Sequence, residues 1–514
     1  MNLKPQQKSK SLNHRRRLFR LVAVLLGLSV FPAAEGVCLV FDWGQPTDFD
    51  DPFVGFSEIH PLFVLDEEGE NYVISKSRRK FFAFDSFPVE KGPNTFRVFC
   101  LGGSTVQGRP YSIETSFTTW LQLSLTAADS SRNWEVVNCG GISYASYRLV
   151  PILKECLNEY EPDLIVICSG HNEFLEERTY DHIKHAPKVW SSLQQTLSKS
   201  HLFVLLREGV LTATGTSQDS RQHDRPEMTA DANALLDYKN GLAAYHRDDN
   251  WRAGVIAHYE NNIRRMIAMA HAGGVPVLLI RPTSNLADTP PFKSQHRDDL
   301  TEKELQRWNH FVEEAYAHYR TDLDKSISFL NEALQIDDRY ATVWYELGQC
   351  YETRRIRESA RRAYWRAREE DICPLRILEP MEQALAEIAR DTNTPLIDAH
   401  KLLEQKESSG ILGGYLLVDH IHPTFQGHQL IADAIARKMV QQGLLQPKDE
   451  WETRKTAAYA EQMSSLDDLY YAHGQRTLHA LREWTKGRAD GPPIEKRTPN
   501  GVFREKKRNL QSAP

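Results

Sequence analysis

The sequence predicts an α/β protein built on a five-stranded parallel sheet with helices on both faces. Three observations predict it. Five short apolar runs recur along the chain: 96–101 (FRVFCL), 134–139 (WEVVNC), 163–168 (DLIVIC), 275–280 (VPVLLI) and 395–398 (PLID). Such runs, rich in Val, Ile, Leu and Phe, suit strands buried on both faces. Helical material separates them, which implies right-handed crossovers and a parallel order. Ligands of such sheets sit beyond the carboxyl ends of the strands, and each motif of chemical interest falls there.

Bulk composition bounds the rest. The chain has 514 residues, enough for a large core and more than one domain. Hydrophobic residues make up 41% and charged residues 26%, as in folded globular proteins. A formal net charge of -6 supplies no global basic field, so no nucleic-acid partner is expected. The 7 cysteines are odd in number and lack paired metal-type spacing. Cys100, Cys139 and Cys168 lie in or at the end of apolar runs and read as small core residues.

Residues 1–20 form a basic segment with Lys8, Lys10, Arg15, Arg16, Arg17 and Arg20. Residues 21–41 follow, mostly Leu, Val, Ala, Phe and Gly, about the roughly 20 needed to cross a bilayer. The flanking cations predict a cytoplasmic amino terminus, with the rest of the chain outside the cytoplasm on a membrane anchor. Pro32 and Glu35 interrupt the run. A cleaved signal peptide is the rival reading. Candidate cuts after Ala33 or Ala34 put Phe31 or Pro32 where a small residue belongs, which favours an uncleaved anchor.

Residues 42–94, with Pro46, Pro52, Pro61 and Pro88, predict a loop-rich approach of turns and short strands. The sheet domain then runs over 95–300 and closes over 373–442. Residues 180–250 read as an insertion, partly helical, that covers the site. Residues 301–372 read as a second, helical insertion. There Trp344, Leu347, Gly348, Tyr351, Ala360, Tyr364 and Ala367 occupy tetratricopeptide spacing. Ile327, Leu330 and Ala333 resemble part of a preceding, degenerate repeat. Stable stacks usually need about three repeats, so this piece must pack on the main domain. A protein partner could dock there. Residues 425–440 read as a closing amphipathic helix with Leu430, Ile431, Ala434, Ile435 and Met439 on one side. Residues 443–485 read as helical and peripheral, and 486–514 as a disordered polar tail.

Four segments carry chemistry. Gly102-Gly103-Ser104-Thr105 follows the first strand, and Ser104 there is either a nucleophile or a helix cap. On that tetrapeptide alone the cap reading wins. Asn138-Cys139-Gly140-Gly141-Ile142-Ser143 ends the second strand in a Gly-rich loop that can aim backbone amides. Gly170-His171-Asn172-Glu173 ends the third, where an Asn amide can donate to an oxyanion or simply fill a turn. In Asp419-His420-Ile421-His422-Pro423 a carboxylate three residues before a histidine can hold one ring nitrogen and leave the other to take a proton. Metal binding there lacks a third ligand cluster, so no metal is expected. His420 reads as a neighbour that points elsewhere.

Together these segments resemble the SGNH (GDSL-like) hydrolase superfamily over residues 95–440, insertions excluded. Its motif blocks stand here in family order, closed by D-x-x-H-P. The resemblance implies a flavodoxin-like three-layer sandwich, a serine ester hydrolase and no cofactor. It matches Ser104 to the nucleophile, which also gives its N–H to the oxyanion hole. It matches Asn172 to the side-chain oxyanion donor, and Asp419 and His422 to the acid and base. Gly103 replaces the acid of the usual G-D-S. The family's oxyanion glycine falls on Ser143, leaving open whether Gly141 or Ser143 supplies the amide. The anchor, the G-H-N-E block and the embedded repeat look like a membrane-associated bacterial subgroup. Arg281 and Asn285, in the loop 281–293, could meet a substrate, an ester such as an acylated carbohydrate or lipid. The same machinery could serve an acyltransferase or O-deacetylase. A non-catalytic membrane-tethered binding protein and an anion site at the Gly102–Thr105 turn are the other readings.

Overall fold

The computed structural model describes residues 61–176, 235–237 and 241–486, with parts of 29–43 and 200–206. The chain forms two units, Met1–Glu58 with Thr179–Met228, and Ile59–Arg178 with Thr229–Pro514. In the first, residues 31–38 are helical. Glu35, the acid that interrupts the apolar run, accepts bonds from the Ser200 hydroxyl (2.7 Å) and the amides of His201 (2.8 Å) and Leu202 (2.9 Å). Amides at the head of a helical turn are natural partners for a carboxylate. Among the described residues no helix is long and apolar enough to cross a membrane. The basic segment 1–20, most of the span 21–41, most of the insertion 180–250 and the tail after 486 lie outside the described residues.

In the second unit the strands are β1 (Phe63–Leu65), β2 (Asn71–Ile74), β3 (Ser86–Pro88), β4 (Thr95–Gly102), β5 (Asn133–Gly140), β6 (Leu164–Cys168), β7 (Val277–Arg281) and β8 (Leu396–Asp398). The first three form a small antiparallel sheet, the turns and short strands expected before residue 94. The other five form a parallel sheet in the order β5-β4-β6-β7-β8. They coincide with the five apolar runs to within two residues at either end. The order reverses at β4, so the carboxyl ends of β4 and β6 flank the switch point where such sheets bind ligands.

The runs lack a polar face because both faces are covered. Val98, Cys100, Leu164, Val166, Leu278 and Ile280 face one core. Their alternate neighbours Phe99, Leu101, Ile165, Ile167, Val277 and Leu279 are equally buried and face the other. Among the described residues of this unit the helices begin with α1 (Ser104–Gln107), α2 (Phe117–Ala128), α3 (Ser146–Glu159), α4 (Asp249–Ala272), α5 (Glu302–His318), α6 (Leu323–Ile336), α7 (Ala341–Thr353), α8 (Arg357–Glu369), α9 (Glu379–Asp391) and α10 (Ala399–Glu404). Three more follow, α11 (Phe425–Gln441), α12 (Trp451–Ser465) and α13 (Asp468–Lys486). α2 and α11 cover the first face through Trp120, Leu121, Ile431 and Ile435. α3, α4 and α9 pack on the second. Buried Arg97 ties the small sheet to β4. It donates to Glu135 (2.6 Å) and to the carbonyls of Tyr160 and Pro88 (both 2.9 Å).

The helical insertion is two hairpins, α5–α6 and α7–α8. Thr301 and Glu304 form a reciprocal capping box at the start of α5. Trp308, Leu330, Leu347 and Ala363 share one cluster across the four helices. The second hairpin packs on the sheet domain, as a piece too short to stand alone must. Tyr345, Tyr364 and Ala367 meet Leu286 and Ala287 after β7, and the Tyr345 hydroxyl donates to the Ala287 carbonyl at 2.9 Å. Of the carboxyl-terminal helices, α12 lies at the surface, mostly exposed, and packs on α2 and α11 through a few residues. Tyr459 on α12 donates to the Trp120 carbonyl at 3.0 Å, and the buried Lys455 ammonium meets Asp433 at 2.8 Å. Trp451, Tyr459 and Met463 form an apolar stripe that extends the core beyond α11.

Gly348 sits where a Cβ would lie 2.6 Å from the Tyr364 ring. Gly348→Ala should therefore destabilise the protein by about 1–3 kcal/mol through overpacking. The check is a lower urea midpoint at unchanged m-value, partly restored by adding Tyr364→Leu.

Candidate active site

β4 delivers Ser104 as the first residue of α1. Gly103 takes the cap position and makes no side-chain bond. The Ser104 hydroxyl caps nothing; it lies 2.7 Å from His422 Nε2. That disposes of the helix-cap reading. Gly103 is required by close approach, since a Cβ there would fall 2.6 Å from the Asn172 amide nitrogen. Gly170, before that Asn, has φ 139°, a backbone region of glycine, and a Cβ would strike Ile377 at 2.6 Å.

His422 is 2% exposed and held from behind. Its Nδ1 lies 2.7 Å from Asp419 Oδ2. Asp419 Oδ1 accepts from the amides of Ile421 (2.9 Å) and His422 (2.8 Å). Burial works against the Asp419 charge, but His422, His420 and these bonds together hold the carboxyl well below its usual range. An ionised Asp419 keeps the proton on Nδ1 and leaves Nε2 as an acceptor facing Ser104.

The amides of the Gly-rich loop divide cleanly. Gly141 N–H is spent on the Gly102 carbonyl at 3.0 Å. Ser143 N–H makes no bond among the described residues, and its φ of 63° turns the loop there. Asn172 donates one amide hydrogen to the Tyr144 carbonyl at 3.0 Å. Its second amide hydrogen makes no bond among the described residues. The structure thus brings together Ser104, His422, Asp419, Asn172 and the loop holding Ser143, and it takes Gly141 out as a donor.

Arg281 and Asn285 stand elsewhere than at an open surface. Arg281 pairs with Asp398 and Glu382, both at 2.9 Å. Asn285 is fully buried. It donates to the Asp419 carbonyl at 2.9 Å, and its amide donates to the His420 carbonyl at 2.9 Å. It braces the acid from the backbone side. His420 does not point away either. Its Nδ1 is 3.7 Å from Asp419 Oδ1 and its ring meets Phe292 edge-on at 5.2 Å. Burial pushes its imidazole down to about 4 against the pull of Asp419.

Three supports escaped the sequence reading. Asn138 donates to the Val106 carbonyl (2.7 Å) and Thr118 hydroxyl (2.9 Å), and accepts from Gly140 N–H (2.9 Å). It pins the end of β5 to the helix that carries Ser104. Glu173 accepts from the amide and hydroxyl of Ser146 and so fixes the loop that follows Ser143. Arg376 donates to the carbonyls of Asn285 and Thr289 (both 2.9 Å), locking the loop under Asp419. A buried Asn at a strand end was visible as a signal; the partners of Glu173 and Arg376 were not. Among the described residues no group of His, Cys, Asp and Glu is disposed to hold a metal ion.

No known protein family and no curated protein matches the chain. Solved structures to which this chain is similar include a catalytic mutant of an acetylxylan esterase from Geobacillus stearothermophilus. It is 12% identical, with 68% of this chain and 96% of that chain covered, at a TM-score of 0.30. Another is a lipase/acylhydrolase from Enterococcus faecalis, 12% identical, covering 69% of this chain and 99% of that one, at a TM-score of 0.29. Likenesses of that depth transfer neither a substrate nor a residue's role.

The buried histidines make stability depend on pH. Burial pushes His420 from 6.5 down to about 4 and His428 down to about 3. A histidine with a depressed folded value binds its proton more readily when unfolded. Its contribution is complete above the unfolded value and is lost as pH falls toward the folded one. At pH 5 each such group should cost about 2 kcal/mol relative to pH 7. Urea titrations at both values should show that loss, and His428→Gln should show a smaller one; equal losses would refute the assignment.

Proposed function

We propose that this protein is a serine ester hydrolase that works through an acyl-enzyme. The observation that carries the reading is the unbroken relay from Ser104 Oγ to His422 Nε2 and from His422 Nδ1 to Asp419, each step 2.7 Å. His422 takes the hydroxyl proton as Ser104 Oγ attacks the ester carbonyl. Asp419 orients the imidazole and stabilises its charged form. The developing oxyanion is met by the N–H groups of Ser104 and Ser143 and by the free hydrogen of Asn172. His422 then returns its proton to the departing alcohol. In the second half it activates water, which releases the acid and restores Ser104. No cofactor enters the scheme. The same reading gives the enzyme a membrane tether through residues 21–41, an address outside the cytoplasm and a protein-docking hairpin within 301–372, all supported by residue pattern.

Ser104→Ala should abolish hydrolysis of a short-chain aryl ester while leaving the circular dichroism and thermal midpoint in place. Asp419→Asn should lower kcat by about 10⁴-fold and Asn172→Ala by about 10²–10³-fold. Wild-type turnover in the Ser104 variant would end the proposal.

A further inference from the structure

Arg109 follows the nucleophile by one turn. Its backbone N–H donates to the Ser104 carbonyl at 3.1 Å, so the side chain starts from the base of α1. Most of that side chain is covered. Its Nε is buried with no hydrogen-bond partner, whereas the two terminal nitrogens are not sealed off. No carboxylate, carbonyl or aromatic ring within the described residues takes the guanidinium.

That sets the half-buried Arg109 apart from the buried arginines of this unit, of which Arg78 donates to the Tyr144 hydroxyl and four meet carboxylates. Arg97 has Glu135, Arg148 has Glu176, Arg368 has Glu382 and Arg376 has Asp371. Covering a cation without a counter-charge is costly, and proteins keep such a group where a ligand completes it. The nearby acid does not do so: Asp419 makes no ion pair with Arg109, and its carboxylate already meets the amides of Ile421 and His422 and the His422 Nδ1. Asp419 nonetheless lies close enough to act on the guanidinium: burial lowers the proton affinity of Arg109 and the Asp419 charge raises it.

The surroundings limit what reaches it. Two residues on, the Tyr111 ring meets Phe425 at a tilt of 54° and 4.5 Å, and its hydroxyl accepts from Gln475 at 2.9 Å. Arg482 of the same helix, α13, donates to the Val418 carbonyl at 2.9 Å. The flank of the relay made by residues 109–111 and 418–425 therefore carries Arg109 as its one Arg or Lys, joined by Arg482 of α13, and its one acid, Asp419, is paired.

We infer that Arg109 binds an oxyanion of the substrate, so that the preferred ester carries a carboxylate or phosphate beside the scissile group. The guanidinium fork suits either group, with two parallel N–H···O bonds. The inference rests on the ester-hydrolase reading for its chemistry, and on the unpaired guanidinium for its substrate class.

The test compares para-acetoxybenzoate and para-acetoxyphenyl phosphate with the neutral methyl para-acetoxybenzoate, using the full chain. Wild type should favour at least one anionic ester, and which one it favours separates carboxylate from phosphate. In Arg109→Gln the anionic-to-neutral ratio of kcat/KM should fall about tenfold or more, the loss of one charge-assisted contact. Arg109→Lys should recover part of it. The Gln variant should unfold at no lower urea concentration than wild type, since no internal contact is lost; a purely structural arginine would give a large drop. An unchanged ratio, or a wild type that prefers the neutral ester, overturns the inference. Calorimetric titration with benzoate and phenyl phosphate runs beside the kinetics. If no ester is cleaved, the hydrolase reading fails alone, and anion binding that disappears in Arg109→Gln still upholds this site. Equal binding, or none, in both proteins overturns it.

Discussion

The bond between Ser104 and His422 joins groups 318 positions apart, and the account of the site depends on it. It holds because each partner is fixed from behind. On one side, Asn138 fastens α1 to the end of β5 and Gly103 lets Asn172 lie against the nucleophile's backbone. On the other, Asp419 grips the imidazole while Asn285 and Arg376 hold the backbone that carries Asp419. An error of about 1 Å at such a contact can cost about a hundredfold in rate. The polar residues spent on bracing are therefore as much part of the site as the reacting groups.

This geometry has an energetic cost. Ser143 adopts a left-handed backbone conformation, and His171, His400 and His428 each bury a ring nitrogen without a partner. Burial keeps these three imidazoles far below their ordinary range. Such features persist only where surrounding structure over-determines them. Here the double-faced sheet core and the docked hairpins supply the rigidity. Arg109 belongs to the same set of uncompensated groups, and it differs in being open to a ligand.

Much of the fold was legible in the residues alone. The five strands were readable because burial on both faces leaves runs with no polar alternation, and their parallel direction follows from the helical crossovers between them; their order came from the structure. The strand ends were readable because Gly, Ser, Asn and His cluster there. What a side chain touches was less legible. Arg281 and Asn285 fell in the right loop, but their partners, Asp398 and the Asp419 backbone, come from 117 and 134 positions away. The choice between Gly141 and Ser143 turned on one backbone bond to Gly102, which residue type does not encode. α12 and α13 were readable as surface helices, but the bonds from Tyr459 to the Trp120 carbonyl and from Lys455 to Asp433 were not, because those partners come from distant parts of the chain.

The most direct measurement is active-site labelling with a fluorophosphonate, read by peptide mass spectrometry on wild type, Ser104→Ala and His422→Ala. The account predicts one adduct in wild type, on Ser104, absent from the first variant and strongly slowed in the second. An adduct on another residue, or a wild-type chain that folds and takes no label, would contradict it.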